Sequence, residues 1–442
     1  MMPMAVTALA VMVVPGVVDA KARAPLYGIS SNPSVAQLVK VNVATGNQTN
    51  VGHGARNELS AQGLACIDQP RGIYYVLDFN DTSRAPQLIG FSLKAPRGSL
   101  VIDITLDLSE LMFVGVGQSV GVDPLSGRVI ISGHDSTVQG HHIFWIDPHG
   151  AKPSKPTTIA KIAAPAVYLL GGSSAVDWNN KVFYAIMVLP PKGGDVGAAG
   201  WPKVYNYSQM DKVWLRPHGG VQRSPSAWHR AAGAADPPPP PPPPPPFSVN
   251  LVGVAFGEGA TGAWERIEWP AGKSVGTLAY DEKKQELVGF GEMQNADGTY
   301  SKTLESIKAT PTKYDFRTIG EVKGFAGEMG PITTVDSGAR VHYSMLSAPP
   351  KPWETSDGCA ATGFPCKANT SCCRMPPAGP ACFNVPSCKD LQSAPDINAP
   401  FFLAQLDLDT AEVASRTPPL CSIAKSNCPW SLEADEVQHV DG

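Results

Sequence analysis

Short runs of apolar and β-branched residues recur along the chain, and each ends in an aspartate that precedes a turn and a second β-rich run. The segment SSAVDWNNKVFYAIM, residues 173–187, shows this arrangement, with one aspartate between the two runs. Runs rich in Val, Ile, Tyr and Phe, bounded by Gly, Pro and Asp, are typical of β-strands. The aspartate-terminated run occurs six times, at Asp68, Asp123, Asp177, Asp281, Asp336 and Asp435.

The spacing of these aspartates indicates a structural repeat. Consecutive aspartates are 55, 54, 104, 55 and 99 residues apart. Three intervals therefore span one unit each, and the other two span one unit plus an insertion. Within each unit the sequence predicts four strands, and four antiparallel strands make one blade of a β-propeller.

The two ends of the chain complete the repeat. The sixth unit supplies only its first strand, SLEAD, and its three missing strands match PLYGIS, QLVKVNV and NQTNVG near the N-terminus. Pairing these strands closes a ring and removes the open sheet edge. We therefore predict an all-β fold over residues 21–442, a six-bladed β-propeller with four antiparallel strands per blade. Its last blade is closed by N-terminal strands plus one C-terminal strand, and the aspartates accept backbone N–H bonds in turns.

The strand pairs AVDWNNKVFYAI and VDPLSGRVIISG resemble those of six-bladed propellers of the TolB, NHL and YWTD kind. The YWTD tetrapeptide and the S-x-D-x-G-x-T-W box of sialidases are absent from the sequence. The resemblance implies a fold that carries lactonases, hydrolases, receptors and scaffolds, so it does not choose a function.

Two insertions join second to third strands, in the third and fifth blades, and are expected to emerge on one elaborated face of the ring. The first, residues 190–248, contains ten consecutive prolines, Pro237–Pro246. We interpret it as a disordered spacer with a polyproline II segment. Docking of the proline run on an aromatic groove of a partner is the alternative.

The second insertion, residues 349–400, is too short to build a core and predicts a disulfide-stapled unit. Its adjacent cysteines resemble the inhibitor cystine knot, or knottin, framework. That resemblance implies the pairs Cys359–Cys373, Cys366–Cys382 and Cys372–Cys388. A zinc cluster is the alternative, although the insertion contains no histidine. We expect Cys421 and Cys428 to pair, which leaves Cys66 as a buried free thiol.

Three features predict an extracellular protein. Residues 1–20 have the apolar run and small final residue of a signal peptide but lack a charged n-region, so an apolar N-terminal strand is the alternative. The cysteine density fits an oxidising compartment. Glycosylation sequons occur at Asn47, Asn80, Asn206 and Asn369. No later stretch predicts a membrane span.

The composition narrows the class of partner and the class of chain. The net charge of −4 and the lack of a Lys/Arg cluster argue against nucleic acid. Hydrophobic residues make up 43% of the chain and charged residues 17%, which favours a sizeable core over disorder.

Candidate sites for chemistry are few. GEGATG, residues 257–262, is expected to be a hairpin turn, and LLGGSSAV lacks the residues of a phosphate loop or a nucleophile elbow. The histidine-rich GHDSTVQGHH, residues 133–142, is interpreted as a solvated loop, with metal binding as the alternative. Glu58, Glu328 and Glu433 lie at or before the entry of three innermost strands. They could hold Ca²⁺ around the mouth of the channel, as in lactonase-like propellers.

Two hypotheses follow. The favoured one is a secreted, monomeric binding module that contacts a protein or glycan ligand through its elaborated face, with no cofactor. The alternative is a calcium-dependent hydrolase or lactonase-like enzyme at the mouth of the central channel.

Overall fold

The computed structural model describes residues 24–29, 36–56, 65–79, 86–106, 113–135, 140–150, 156–163, 168–189, 248–256, 264–270, 273–295, 300–310, 313–325, 327–347, 354–355, 372–374, 381–383, 400–420 and 432–435. All regular secondary structure in these ranges is β-strand. The strands form six antiparallel sheets, which are the six predicted blades, and one small additional sheet.

The first three strands belong to the last blade: β1 (Leu26–Ile29), β2 (Ala36–Val41) and β3 (Gln48–Arg56). Blade 1 consists of β4 (Ala65–Asp68), β5 (Ile73–Phe79), β6 (Pro86–Ser92) and β7 (Leu100–Thr105). Blade 2 consists of β8 (Phe113–Val122), β9 (Val129–Asp135), β10 (Gly140–Ile146) and β11 (Thr157–Ala163). Blade 3 consists of β12 (Tyr168–Asp177), β13 (Val182–Leu189), β14 (Ser248–Ala255) and β15 (Trp264–Ile267).

Blade 4 consists of β16 (Lys273–Val275), β17 (Ala279–Asp281), β18 (Glu286–Gln294), β19 (Tyr300–Thr310) and β20 (Lys313–Glu321). Blade 5 consists of β21 (Gly327–Asp336), β22 (Val341–Ser347), β26 (Phe401–Asp407) and β27 (Val413–Arg416). The small sheet lies within the cysteine-rich insertion and contains β23 (Glu354–Thr355), β24 (Cys372–Arg374) and β25 (Ala381–Phe383). The last strand, β28 (Glu433–Ala434), completes blade 6 in the order β28-β1-β2-β3.

Blade 6 confirms the predicted closure of the ring by both ends of the chain. In the antiparallel pair of β28 with β1, Ala434 lies opposite Leu26 and Glu433 opposite Tyr27. The backbone N–H of Asp435 donates to the carbonyl of Pro25 over 3.0 Å. The innermost strand of blade 6 therefore comes from the C-terminal part of the chain, and its other three strands come from the N-terminal part.

The core lies between the blades. Alternate residues of a strand point to opposite faces of its sheet, so each blade supplies apolar side chains to both neighbours. In β5, Tyr75 and Leu77 pack in the cluster shared with blade 2, whereas Tyr74 and Val76 pack in the cluster shared with blade 6. The described residues form six such clusters, one for each blade interface. Burial between neighbouring sheets therefore holds the ring together.

The aspartate turns form as predicted. Five carboxylates accept a backbone N–H from their own turn: from Arg71 to Asp68 (3.2 Å), Leu125 to Asp123 (3.1 Å), Asn180 to Asp177 (3.0 Å), Lys283 to Asp281 (3.1 Å) and Ala339 to Asp336 (2.8 Å). The fourth residue after each aspartate has a left-handed backbone: Gly72 (φ 65°), Gly127 (74°), Lys181 (54°), Gln285 (56°) and Arg340 (61°). All six repeat aspartates are buried.

The innermost strands depart from the sequence prediction in two ways. Blade 4 has the additional short strand β16, which pairs with β18 ahead of β17. In β8, β12 and β21 the register shifts partway along the strand, as between Leu169 and Ser174. Such bulges bend the strand locally. The Cα atoms of β12 and β21 approach within 8 Å of one another, although blade 4 separates these strands in the ring.

Both insertions leave from the strand ends opposite the aspartate turns, because they join β13 to β14 and β22 to β26. The proline run, Asn80, Asn206, Asn369, Cys421 and Cys428 lie outside the described residues. Within the described ranges, no helix is long and apolar enough to cross a membrane.

Candidate functional site

The innermost strands of all six blades enclose a central cavity of about 420 Å³. When the blades are aligned on their aspartates, the lining residues fall into layers. The residues two positions before the aspartates form what we call the deep layer: Cys66, Gly121, Ala175, Ala279, Thr334 and Glu433. The residues directly after the aspartates form the mouth layer, whose described cavity-lining members are Gln69, Pro124, Trp178 and Glu282.

The cavity lies toward the aspartate turns. Its described lining runs from three residues before the aspartates, as at Ser174, to two residues after, at Pro70. Three residues of extended chain separate the two layers, which is roughly 10 Å along a strand. The cavity is therefore at the opposite end of the strands from the two insertions.

The deep layer is asymmetric. Blades 2, 3 and 4 contribute the small residues Gly121, Ala175 and Ala279. Blades 5, 6 and 1 contribute Thr334, Glu433 and Cys66, which carry polar or titratable groups. The small apolar side chains therefore lie on one side of the deep layer, and the functional groups lie on the other.

Glu433 is half-buried in this layer. The hydroxyl of Thr334 donates to its Oε2 over 3.3 Å and accepts the backbone N–H of Ala434 over 3.2 Å. Burial raises the pKa of Glu433 to about 8, and the hydrogen bond from Thr334 opposes this rise. The carboxyl therefore holds a proton more readily than an exposed glutamate does.

Cys66 is a free, buried thiol, in agreement with the sequence analysis. Burial raises its pKa well above the ordinary value, and the nearby carboxyls of Glu433 and Asp68 raise it further. Because the thiolate is the nucleophilic form, this environment does not activate Cys66 as a nucleophile.

The mouth layer combines an aromatic ring and an acid from adjacent blades. Trp178 of blade 3 is half-buried and packs edge-on against Phe256, with ring centroids 6.1 Å apart. Glu282 of blade 4 is exposed, and its backbone N–H donates to the hydroxyl of Ser337 over 3.0 Å. Desolvation, and secondarily Asp281, raises the pKa of the Glu282 carboxyl. Between these positions, the Tyr280 hydroxyl donates to Asp177 Oδ1 over 2.9 Å.

Three glutamates were predicted to surround the channel mouth at the entries of innermost strands. Of these, Glu433 lines the cavity, but in its deep layer and not in the mouth layer defined above. Glu328 lies in β21 beyond the register shift, eight residues before its aspartate, and its backbone pairs with Leu346. Glu58 lies outside the described residues. In the described part of the chain, no group of three or more His, Cys, Asp or Glu side chains could hold a metal ion.

The histidine-rich segment is not a solvated loop throughout. His134 is the penultimate residue of β9, and His141 lies opposite it in β10. His142 is buried in β10, at 4% exposure. The interpretation as a solvated loop is therefore wrong for His142, because the strand continues through it into the core of the blade.

Sequence reasoning identified Glu433 but did not connect it with Thr334, Trp178 or Glu282. A signal was present, because aligning the six repeats on their aspartates places Thr334 and Glu433 at one equivalent position and Trp178 and Glu282 at another. The bulges in β8 and β12 could also have been predicted from the glycines in FVGVGQSV and LLGGSSAV, since glycine inside a strand pattern often marks a bulge.

No known protein family matches the sequence, and no curated protein matches it. Several solved structures resemble the chain at low identity. A hypothetical selenium-binding protein from Sulfolobus tokodaii is 11% identical, with 94% of this chain and 90% of that chain covered and a TM-score of 0.41. A gluconolactonase from Xanthomonas campestris is 10% identical, with 90% and 86% covered and a TM-score of 0.35.

The β-propeller domain of the Trilobed protease from Pyrococcus furiosus, described as having an open velcro topology, is 8% identical over 71% of this chain and 81% of that chain, with a TM-score of 0.32. At such identities and scores these similarities carry no inference about activity or ligand. The six-bladed fold rests on the strand pairing, and it alone does not choose a function.

Proposed function

We propose that this protein is a binding module and that its central cavity holds a small-molecule ligand. The observation that carries the proposal is one cavity of about 420 Å³ with lining residues from all six blades. Ligand pockets usually have volumes of roughly 300–1,000 Å³ and combine apolar walls with a few polar groups. The apolar side of the deep layer and the Thr334–Glu433 pair opposite match that description.

A calcium-dependent hydrolase is the alternative, supported by the position of Glu433 in the cavity. Calcium takes six to eight oxygen ligands, several of them ionised carboxylates. The described residues supply one of the three predicted acids, and its pKa of about 8 opposes ionisation at neutral pH. Lactone hydrolysis that needs added Ca²⁺ and is lost in the Glu433→Gln variant would favour this alternative over simple binding.

The elaborated face is a second candidate binding surface, for a protein or glycan. The cysteine-rich insertion has a sheet of its own, β23–β25, in which Cys373 lies opposite Cys382. A unit with its own sheet can present a preordered surface, which lowers the entropic cost of binding. Replacing residues 356–390 with a short Gly/Ser linker should leave the propeller folded and remove binding at this face alone.

An extracellular location is part of the proposal. The predicted signal peptide, the sequons and the cysteine-rich insertion support it. Asn47 adds support because its side chain and that of Thr49 are exposed in the described structure. A sequon must be accessible to be glycosylated.

The cavity proposal is tested with a library of small metabolites and the full chain, using thermal unfolding as the measurement. A ligand that binds the native state raises the Tm. We expect at least one compound that stabilises the wild type but neither Ser174→Leu nor Ala279→Leu, since each substitution fills the cavity. Folding of both variants is checked by circular dichroism. Only compounds that stabilise all three proteins equally, or no compound at all, would overturn the proposal.

A further inference from the structure

The charges around the central cavity are unbalanced. Its described lining includes two acids, Glu282 and Glu433, and no Lys, Arg or His. An anionic ligand would therefore meet the carboxylate of Glu282 at the mouth and the carboxyl of Glu433 in the deep layer, with no cation in the described lining to bind it. A bound cation beside Glu433 would instead lower the pKa of its carboxyl and favour the ionised form. Electrostatic complementarity favours a ligand of the opposite sign.

Two basic residues of the aspartate turns are already paired with turn aspartates. Arg71 binds Asp68 at 3.2 Å. Lys181 of blade 3 reaches Asp123 of blade 2 at 3.3 Å. These contacts neutralise aspartates of the ring, so the two cations are already paired away from the cavity glutamates. Within the described residues, neither Glu282 nor Glu433 forms an ion pair, although Glu433 accepts the hydrogen bond from Thr334.

The shape of the deep layer assigns each part of a ligand a position. Glu433 and Thr334 offer oxygens on one side, to which an N–H donor can bind. Gly121, Ala175 and Ala279 offer a smooth apolar wall on the other side. Trp178 stands beside the entrance in the blade next to Glu282, and an indole ring is the aromatic group that attracts cations most strongly.

Resting on the proposed cavity function, we propose that the ligand is a small organic cation. Its ammonium group lies at Glu433 and Thr334, and its apolar part lies over Gly121, Ala175 and Ala279. Glu282 and Trp178 attract it at the mouth. Sugars and other neutral polyols carry no positive charge to pair with these acids, and anions would be repelled by an ionised carboxylate.

The test compares cations with uncharged molecules of the same shape by calorimetric titration of the full chain. Cyclohexylamine is paired with cyclohexanol and benzylamine with benzyl alcohol, and myo-inositol represents neutral polyols. We expect at least one cation to bind about tenfold or more tightly than its uncharged partner, a difference of about 1.4 kcal/mol. Glu433→Gln should remove that preference while keeping the side-chain shape. Glu321→Gln, at an exposed position on β20, should not change it.

Three kinds of result separate the cation inference from the cavity function. The first is binding that Ser174→Leu blocks but that shows no preference for cations, either because charged and uncharged partners bind equally or because myo-inositol binds tightly. That result would overturn the cation inference and keep the cavity as the site. Failure of both cations to bind would also overturn the cation inference. The cavity function would then be tested by the metabolite library alone. Cation binding that persists in Ser174→Leu and Ala279→Leu would overturn the placement of the ligand in the cavity.

Discussion

The guanidinium of Arg340, in the first turn of blade 5, donates to the carboxylate of Asp281 in blade 4. Asp281 also accepts the backbone N–H of Lys283 in its own turn, so one carboxylate fixes a turn and joins two blades. The pattern recurs around the ring. Lys181 reaches Asp123 of the preceding blade, and Tyr280 reaches Asp177. The repeated aspartates therefore contribute to the assembly of the ring as well as to local turn geometry.

Substituting Arg340 should destabilise the whole propeller. Asp281 has a side-chain exposure of 1%, so Arg340→Ala leaves a buried carboxylate without its cation. Loss of one member of a buried pair costs about 3 kcal/mol or more. Urea unfolding measures the change. The control is Lys284→Ala, which removes a partner of the half-exposed Asp409 and should cost less than about 1 kcal/mol. Equal effects of the two variants would contradict a role for the buried pair.

Removing residues 429–442 should lower the Tm of the entire domain instead of fraying one end. The deletion removes β28, its pairing with β1 and the bond from Gln69 Nε2 to the carbonyl of Ala434 (2.7 Å). Blade 6 then loses its innermost strand, and blades 1 and 5 lose the strand that they pack against. Thermal unfolding and hydrogen exchange measure the effect, with a chain ending at Asp435 as the control. Loss of protection confined to β1–β3, with an unchanged Tm, would contradict the closed ring.

Much of this architecture was predictable because it depends on short-range patterns. The strand sequences, the turn aspartates and the missing strands of blade 6 are all visible in apolar alternation and in the period of the repeat. The turn function of Asp177, for example, follows from the residues beside it. Four strands per blade then left little choice of sheet order.

The bonds between blades and the contents of the cavity required three-dimensional positions. Lys181 looks like an ordinary turn lysine in the sequence, and only the ring brings its ammonium to Asp123 of another blade. The candidate site was predicted in part, since Glu433 was identified as a channel acid. Its partner Thr334 is about 100 residues away in the chain. The alignment of the repeats places both residues in one layer, but only the structure shows the hydrogen bond between them.

Glu433 should make the free energy of unfolding decrease as the pH rises. Its pKa is about 8 in the folded chain and near 4.5 when unfolded, so the folded state binds the extra proton between these values. The contribution is fully present below pH 4.5 and is lost as pH rises through 8, by at most about 5 kcal/mol. Urea unfolding from pH 5 to 9 should show a flatter decline for Glu433→Gln than for the wild type. Parallel profiles would contradict the raised pKa.

Asn47 should carry a glycan when the protein is produced through a eukaryotic secretory pathway. The residue is exposed in the turn between β2 and β3, and its backbone N–H donates to Thr45 Oγ1 over 3.2 Å. Asn47→Gln should reduce the mass by one glycan and leave the Tm nearly unchanged. Thr49→Ala is the matched control, because it removes the sequon and keeps the asparagine. An unglycosylated Asn47 in secreted protein would contradict this prediction.

His342 should make the protein sensitive to acid. The imidazole is fully buried in blade 5, where its Nε2 lies 2.8 Å from Thr333 Oγ1, and desolvation lowers its pKa from 6.5 to about 4. The unfolded chain therefore binds a proton between pH 6.5 and 4 that the folded chain does not. The stability contributed by the neutral ring is present above pH 6.5 and is lost as pH falls through 4, by about 3 kcal/mol.

Urea unfolding between pH 7 and 4 should show this loss for the wild type and a smaller one for His342→Phe, whose ring cannot titrate. Thr333→Val separates the two effects, because it removes the hydrogen bond and keeps the titrating group. If His342→Phe retained the full acid dependence, the buried imidazole could not be its source.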